Sequence, residues 1–168
     1  MQRILVPVDG SPNSQYAVRQ VINEFMKDSA LEVHLLNVQP AFSRHIANFV
    51  SRSNRHDYHR AQGQKALGPV KQLLESHGVP YAEHLEVGDK AVLIAQAARR
   101  LRCDRIVMST ARKNSLTRML EDSTTNRVLE ATDVPVEIIA GDMVSPLERF
   151  GVPAGLGAAI VLLLMAAD

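Results

Sequence analysis

Apolar residues follow two rhythms along this chain. Ile4-Leu5-Val6-Pro7-Val8 is a short run without polar alternation, the pattern of a strand buried on both faces of a parallel sheet. Asp9-Gly10-Ser11-Pro12 follows at once as a turn, and Ser11 or Asn13 stands where it can cap a helix whose first turn accepts Pro12. Ala17, Val18, Val21, Ile22 and Phe25 then recur at helical spacing. Residues 31–38, LEVHLLNV, read as a second strand closed by Pro40. A polar stretch, 43–60, leads into a helix running to about His77, which Gly68-Pro69 is expected to kink or break. Gly78-Val79-Pro80 ends that helix. In 81–88 the pattern alternates, placing Tyr81, Glu83, Leu85 and Val87 on one face, as at a sheet edge. Asp89 caps a helix that gathers Ala91, Ile94, Ala95 and Ala98 on one side. RIVMST, 105–110, is another continuous strand; 111–122 read as a loop, 123–132 as a short helix and VPVEIIA, 134–140, as a last strand.

Strict alternation of strand and helix predicts the α/β class: five parallel strands with helices on both faces. Such sheets bind ligands outside the carboxyl ends of their strands. The candidate site therefore lies among Asp9, Val38 and the loop after Thr110. The 168 residues carry a formal net charge of +1, which gives no global electrostatic case for nucleic acid. A local excess exists in 44–71, where Arg44, Arg52, Arg55, Arg60, Lys65 and Lys71 face Asp57 alone; it reads as the solvated face of a helix. The single cysteine, Cys103, rules out an internal disulfide, suits a reducing cytoplasm and reads as a structural residue. No signal peptide is expected, because the first apolar run is short and ends in a turn.

Read with its motifs, the chain resembles the universal stress protein family. The features that carry the resemblance are ILVPVDGS at the first strand, HLLNV at the second, EVGD before the third helix and the block RIVMST…NSLTRMLEDSTTNRVLEATDVPVEII, together spanning residues 1–140. The resemblance implies a Rossmann-like sheet in strand order 3-2-1-4-5, ATP binding in some members and dimers formed through the last strand. The open apolar edge of that strand, with Val134, Val136, Ile138 and Ile139, gives a second reason to expect a homodimer.

ATP-binding members carry Gly-x-x-Gly, nine residues, then Gly-Ser or Gly-Thr. Laid on this chain with the first pair at Arg112 and Ser115 and the Gly-Ser pair at Asp122-Ser123, Ser123 alone matches, and the six residues between Ser115 and Asp122 fall three short of the pattern. Glycines there permit positive φ and a close approach of backbone N–H groups to phosphate. A side chain forced into that conformation costs about 1–2 kcal/mol. The Asp122 carboxylate would also repel a phosphate about 4 Å away by roughly 1 kcal/mol in water and about 4 in a half-buried site. Asp122 or Ser123 reads more simply as the cap of the following helix. Other positions keep the outline of a site. Pro7, Val8 and Asp9 follow the first strand, with Asp9 open to either a turn or a ligand role; Val38 falls where the resemblance places the adenine pocket. Ser109, Arg112, Ser115, Ser123 and Thr124 complete the candidate nucleotide-binding set.

The expectation is therefore a non-enzymatic, dimeric stress-response protein that acts through an unidentified protein partner and holds no cofactor. The alternative is a switch that binds ATP or AMP. No catalytic triad is present in the pattern, and His56 and His59 lack a third ligand, so no metal is expected. The family-like domain is placed at 1–141 and a hydrophobic tail at 142–168. Within the tail, 150–167 is uncharged and carries Pro153, Gly155 and Gly157. It stands at the lower length limit of a membrane span, and reads either as an anchor on the cytoplasmic face of a membrane or as a helix docked on the domain.

Overall fold

The computed structural model describes residues 1–43, 45, 49–112 and 124–143. Strand and helix alternate through β1 (Gln2–Pro7), α1 (Ser14–Phe25), β2 (Leu31–Gln39), α2 (Arg52–Ser76), β3 (Tyr81–Val87), α3 (Lys90–Arg100), β4 (Arg105–Arg112), α4 (Thr124–Ala131) and β5 (Val136–Met143). The strands form one sheet in the order β3-β2-β1-β4-β5, every neighbouring pair parallel. This is the expected order, with the reversal between β1 and β4.

Consecutive apolar residues in β1 serve two cores. Ile4 and Val6 pack with Leu35 of β2, Val18 and Val21 of α1, and Leu67, Val70 and Leu74 of α2. Leu5 turns to the opposite face and meets Leu36, Ile94 and Ala98 of α3, Ile106 of β4 and Val128 of α4. A central strand covered by helices on both sides needs no polar alternation, which is why β1 and β4 read as unbroken apolar runs.

Five local expectations are corrected. Pro69 does not end its helix: α2 runs unbroken for 25 residues through Gly68-Pro69. Leu67, Val70 and Leu74 are fully buried on both sides of the proline, and that packing outweighs the missing hydrogen bond. Its start also lies earlier than the polar composition suggested, at Ser51, whose hydroxyl accepts from Asn54 N–H at 3.1 Å. β4 continues to Arg112, so residues 111 and 112 belong to the strand rather than to a loop, and β5 begins at Val136 instead of 134. In β3, Leu85 and Val87 are exposed while His84 and Glu86 are half-buried, the reverse of the expected pattern.

Charged side chains tie the elements together at defined points. Arg3 N–H donates to Asp104 at 2.7 Å and Asp104 N–H returns a bond to Arg3 C=O at 2.8 Å, joining the starts of β1 and β4. Arg105 binds Glu137 of β5 at 2.6 Å and also Glu24 of α1. Below α3, His34 Nδ1 lies 3.1 Å from His84 Nε2, and His34 Nε2 lies 3.2 Å from Glu32. Burial, then the neighbouring His34 and Arg100, hold the His84 pKa below its ordinary value, and Glu86 and Glu83 oppose this only in part. A depressed histidine pKa means that the unfolded chain takes up the proton first as pH falls. Stability should be complete above about pH 6.5 and decline below it. Urea midpoints measured across that range should show the decline, and His84→Gln should flatten it; an unchanged slope in the variant would assign the effect elsewhere.

No helix among the described residues is long and apolar enough to cross a membrane. The run 150–167, with the anchor and docking readings placed on it, lies outside the described residues.

Candidate functional site

The carboxyl ends of β1, β2 and β4 form the floor of a cleft, closed at the sides by the N-terminal ends of α1, α3 and α4. Backbone bonds set its first wall. Val8 N–H donates to Leu36 C=O at 2.8 Å, and the buried Asn37 amide donates to Val8 C=O at 2.7 Å. Gln39 in turn donates to Asn37 Oδ1 at 2.6 Å. These contacts fix where β1 stops and where Asp9 begins the turn.

Asp9 is held by its own loop. Its Oδ1 accepts from Ser11 N–H at 2.9 Å, from Ser11 Oγ at 2.7 Å and from Ser14 Oγ at 2.5 Å. Burial alone would raise its pKa; the Ser14 and Ser11 bonds and the nearby Lys90 charge outweigh it and hold the carboxyl below the usual range. The turn role expected of Asp9 is therefore present. Ser11 and Ser14 are occupied by it, and Asn13 sits at the N-cap of α1 without a side-chain capping bond. Gly10 has φ +82°, and a Cβ there would stand 3.1 Å from Ala66 of α2, so the turn needs glycine both for its conformation and for its approach to the helix.

The other walls are fixed in the same way. Ser109 Oγ donates to Asn13 C=O, joining β4 to the start of α1. At Gly141 a Cβ would lie 2.3 Å from Asn13 Oδ1 and 3.3 Å from Thr110 C=O, so a side chain there would have to turn the Asn13 amide aside at the cleft mouth. Asp89 caps α3 through Val92 N–H at 3.2 Å and accepts from Arg127 of α4 at 2.6 Å. That carboxylate bonds both helices at the cleft rim, beside the buried packing of Val128 against Ile94 and Ala98.

The cleft has a volume of about 290 Å³. Pro7, Val8, Asp9, Val38, Ser109 and Thr124 of the expected set line it. Arg112 ends β4 opposite Met143 in the β5 register, while Ser115 and Ser123 lie outside the described residues. Leu36, Ile94 and Met108 give the floor its apolar area, and Lys90, Thr110 and Thr125 add polar groups. Sequence reading missed Lys90 and Thr125. The signal was available: both begin helices that start beside strand carboxyl ends, where backbone N–H groups and side chains converge.

The remaining candidates are placed as follows. Val134 and Val136 pack against the second core, and of the three expected dimer residues Ile138 is the exposed one, at 42%. Cys103 is buried, and burial pushes its thiol up to about 11, out of the reactive range. His56 is exposed and 3.7 Å from Asp57. Among the described residues no three His, Cys, Asp or Glu side chains converge as metal ligands.

A parallel sheet in this order, with a cleft at the β1–β4 reversal, fits many nucleotide-binding folds. Residues 1–140 match the universal stress protein family as a whole. The chain belongs to that family. Universal stress protein MJ0531 of Methanocaldococcus jannaschii is 29% identical over 144 residues, covering 82% of this chain and 81% of the relative. Two solved structures share the fold at lower identity. The hypothetical protein MJ0577 superimposes with a TM-score of 0.67 at 24% identity, over 83% of this chain and 96% of its own. A universal stress protein family protein from Arabidopsis thaliana, solved with AMP bound, gives a TM-score of 0.59 at 16% identity, over 92% of this chain and 97% of its own.

Proposed function

We propose that this universal stress protein is a non-enzymatic regulatory protein whose cleft takes an adenine nucleotide, with AMP favoured over ATP. The observation that carries this reading is the character of the cleft. It joins an apolar floor, Leu36, Val38, Ile94 and Met108, suited to a base, to a polar end with Lys90, Thr124 and Thr125, suited to a single phosphate. The AMP held by the Arabidopsis relative supports the ligand class. Discrimination against a triphosphate follows from the positions where ATP-binding members carry glycine, here Arg112 and Asp122, separated by the nine residues of that pattern.

The same reading includes a homodimer through β5 and action through a protein partner. β5 ends the sheet, and its exposed Ile138 lies on an edge that a second copy would close.

Calorimetry should find AMP bound more tightly than ATP, with adenosine weaker than AMP. Lys90→Met should lower AMP affinity by roughly tenfold or more, the scale of a lost charge-assisted contact, and leave adenosine unchanged. Tighter binding of ATP, or no AMP binding at millimolar concentration, would overturn the ligand assignment. In the same preparations, sedimentation at micromolar protein should show a dimer, and a strictly monomeric species would remove the β5 pairing.

A further inference from the structure

Most of the described arginines off the N-terminal half of α2 have a partner. Arg3 pairs with Glu32, Arg99 with Asp133, Arg100 with Glu86, Arg127 with Asp89, and Arg105 with both Glu24 and Glu137. Arg19 stacks over Tyr16. Lys71, in the C-terminal half of α2, binds Glu83 at 2.7 Å. Arg52, Arg55 and Arg60, by contrast, have no carboxylate at ion-pair distance among the described residues, and Glu83, the acid of the adjacent strand, is taken by Lys71 and Gln64.

The placement of these three is specific. At 3.6 residues per turn, Arg52, Arg55, His56, His59 and Arg60 fall within an arc of about 140°. The same arc, followed towards the C-terminus, contains Gly63, Leu67, Val70 and Leu74, the residues that α2 buries against the sheet. Gly63 meets Leu85 of β3 and Asn37 of β2, each two residues from its strand's end. The strands continue for only about 7 Å beyond that level, while α2 continues for about 16 Å to Arg52. The helix thus overhangs the sheet by roughly 10 Å, and its sheet-facing side, with no sheet left to cover, is cationic.

At the foot of the overhang the end of β3 is apolar and partly exposed. Val87 and Leu85 lie on the α2 side of β3 and are 46% and 37% exposed. β3 pairs with β2 on one side and, among the described residues, has no strand on the other, an edge of the kind that an added strand can pair with. His59 Nδ1 is shielded there without a hydrogen-bond partner, its ring 4.7 Å from that of Phe42.

We infer that the overhang of α2 and the edge of β3 form a docking surface for an extended protein segment carrying both acidic and apolar side chains. Carboxylates meet Arg52, Arg55 and Arg60, apolar groups cover Val87 and Leu85, and the backbone extends the sheet. A peptide fits better than the other polyanions. The cations share the helix face that leads to an apolar strand edge, which offers backbone pairing to a peptide and nothing to a phosphodiester backbone.

The test uses the full chain and a fluorescein-labelled peptide of alternating glutamate and leucine, followed by anisotropy. Binding should weaken as salt is raised. It should fall by about tenfold or more in the Arg52→Glu, Arg60→Glu double variant. Both sites are exposed, so the thermal midpoint should be unchanged and loss of fold is separable. The Arg19→Glu, Lys27→Glu variant, with the same charge change on the opposite end of the domain, should bind as the parent does. Failure of the peptide to bind, equal loss in both variants, or preferential capture of a polyuridylate strand or of phosphatidylglycerol vesicles would each overturn the assignment.

Discussion

Truncating Leu35 to alanine should remove about 3–5 kcal/mol of stability, a large part of a folded domain's margin of about 5–15 kcal/mol. Leu35 is fully buried between α1 and α2, where Val18, Val21, Leu67 and Leu74 are themselves fixed by close packing. The vacated volume would persist as a cavity, and the lost contacts would add to the lost transfer energy. Its neighbour Leu36 is buried just as fully but lies on the other face, as part of the cleft floor. Leu36→Ala should therefore cost less, about 2–3 kcal/mol, because the space it leaves opens into the cleft and can admit water. Urea denaturation of the two variants reads the difference directly. Equal losses would mean that the cleft floor is as tightly sealed as the α1–α2 core.

Arg105→Met should be the most damaging single change of a charged residue, at about 2–3 kcal/mol. The side chain is 19% exposed and serves Glu24 on α1 and Glu137 on β5 at once. Removing it leaves two carboxylates facing one another with no cation between them. Loss of one partner from a buried pair costs about 3–5 kcal/mol, and partial exposure lowers that figure here. The cost then belongs mainly to the stranded acids, so converting Glu24 and Glu137 to glutamine in the same background should restore more than half of the lost stability. If the triple variant is no more stable than Arg105→Met, packing of the arginine stem, and not charge, is what the site supplies.

Much of the fold was legible in the sequence because its strands are buried on both faces. Ile4-Leu5-Val6 and Ile106-Val107-Met108 show no polar alternation, and helices between such runs leave few topologies open. The failures occurred where tertiary packing overrules a local rule. Pro69 is a helix breaker by its own chemistry, yet three fully buried neighbours keep α2 continuous. In β3 the alternation was visible, but which face was covered depended on where α2 and α3 lie. His84 and Glu86 are sheltered because His34 and Arg100 meet them, and no pattern within the strand encodes that. At the site, Asp9 and Val38 could be named because motifs mark the ends of β1 and β2. Lys90 sits behind an Asp89 that reads as an ordinary helix cap, so its position in the cleft wall emerged only when α3 was seen to start there.

Gly141 ties β5 to the cleft. Its backbone passes so near Asn13 that the smallest side chain would collide with that amide, and Asn13 belongs to the wall of the cleft. β5 and the mouth of the pocket thus meet at Asn13. Whatever fills the cleft and turns that amide would be felt by the backbone of β5 at Gly141.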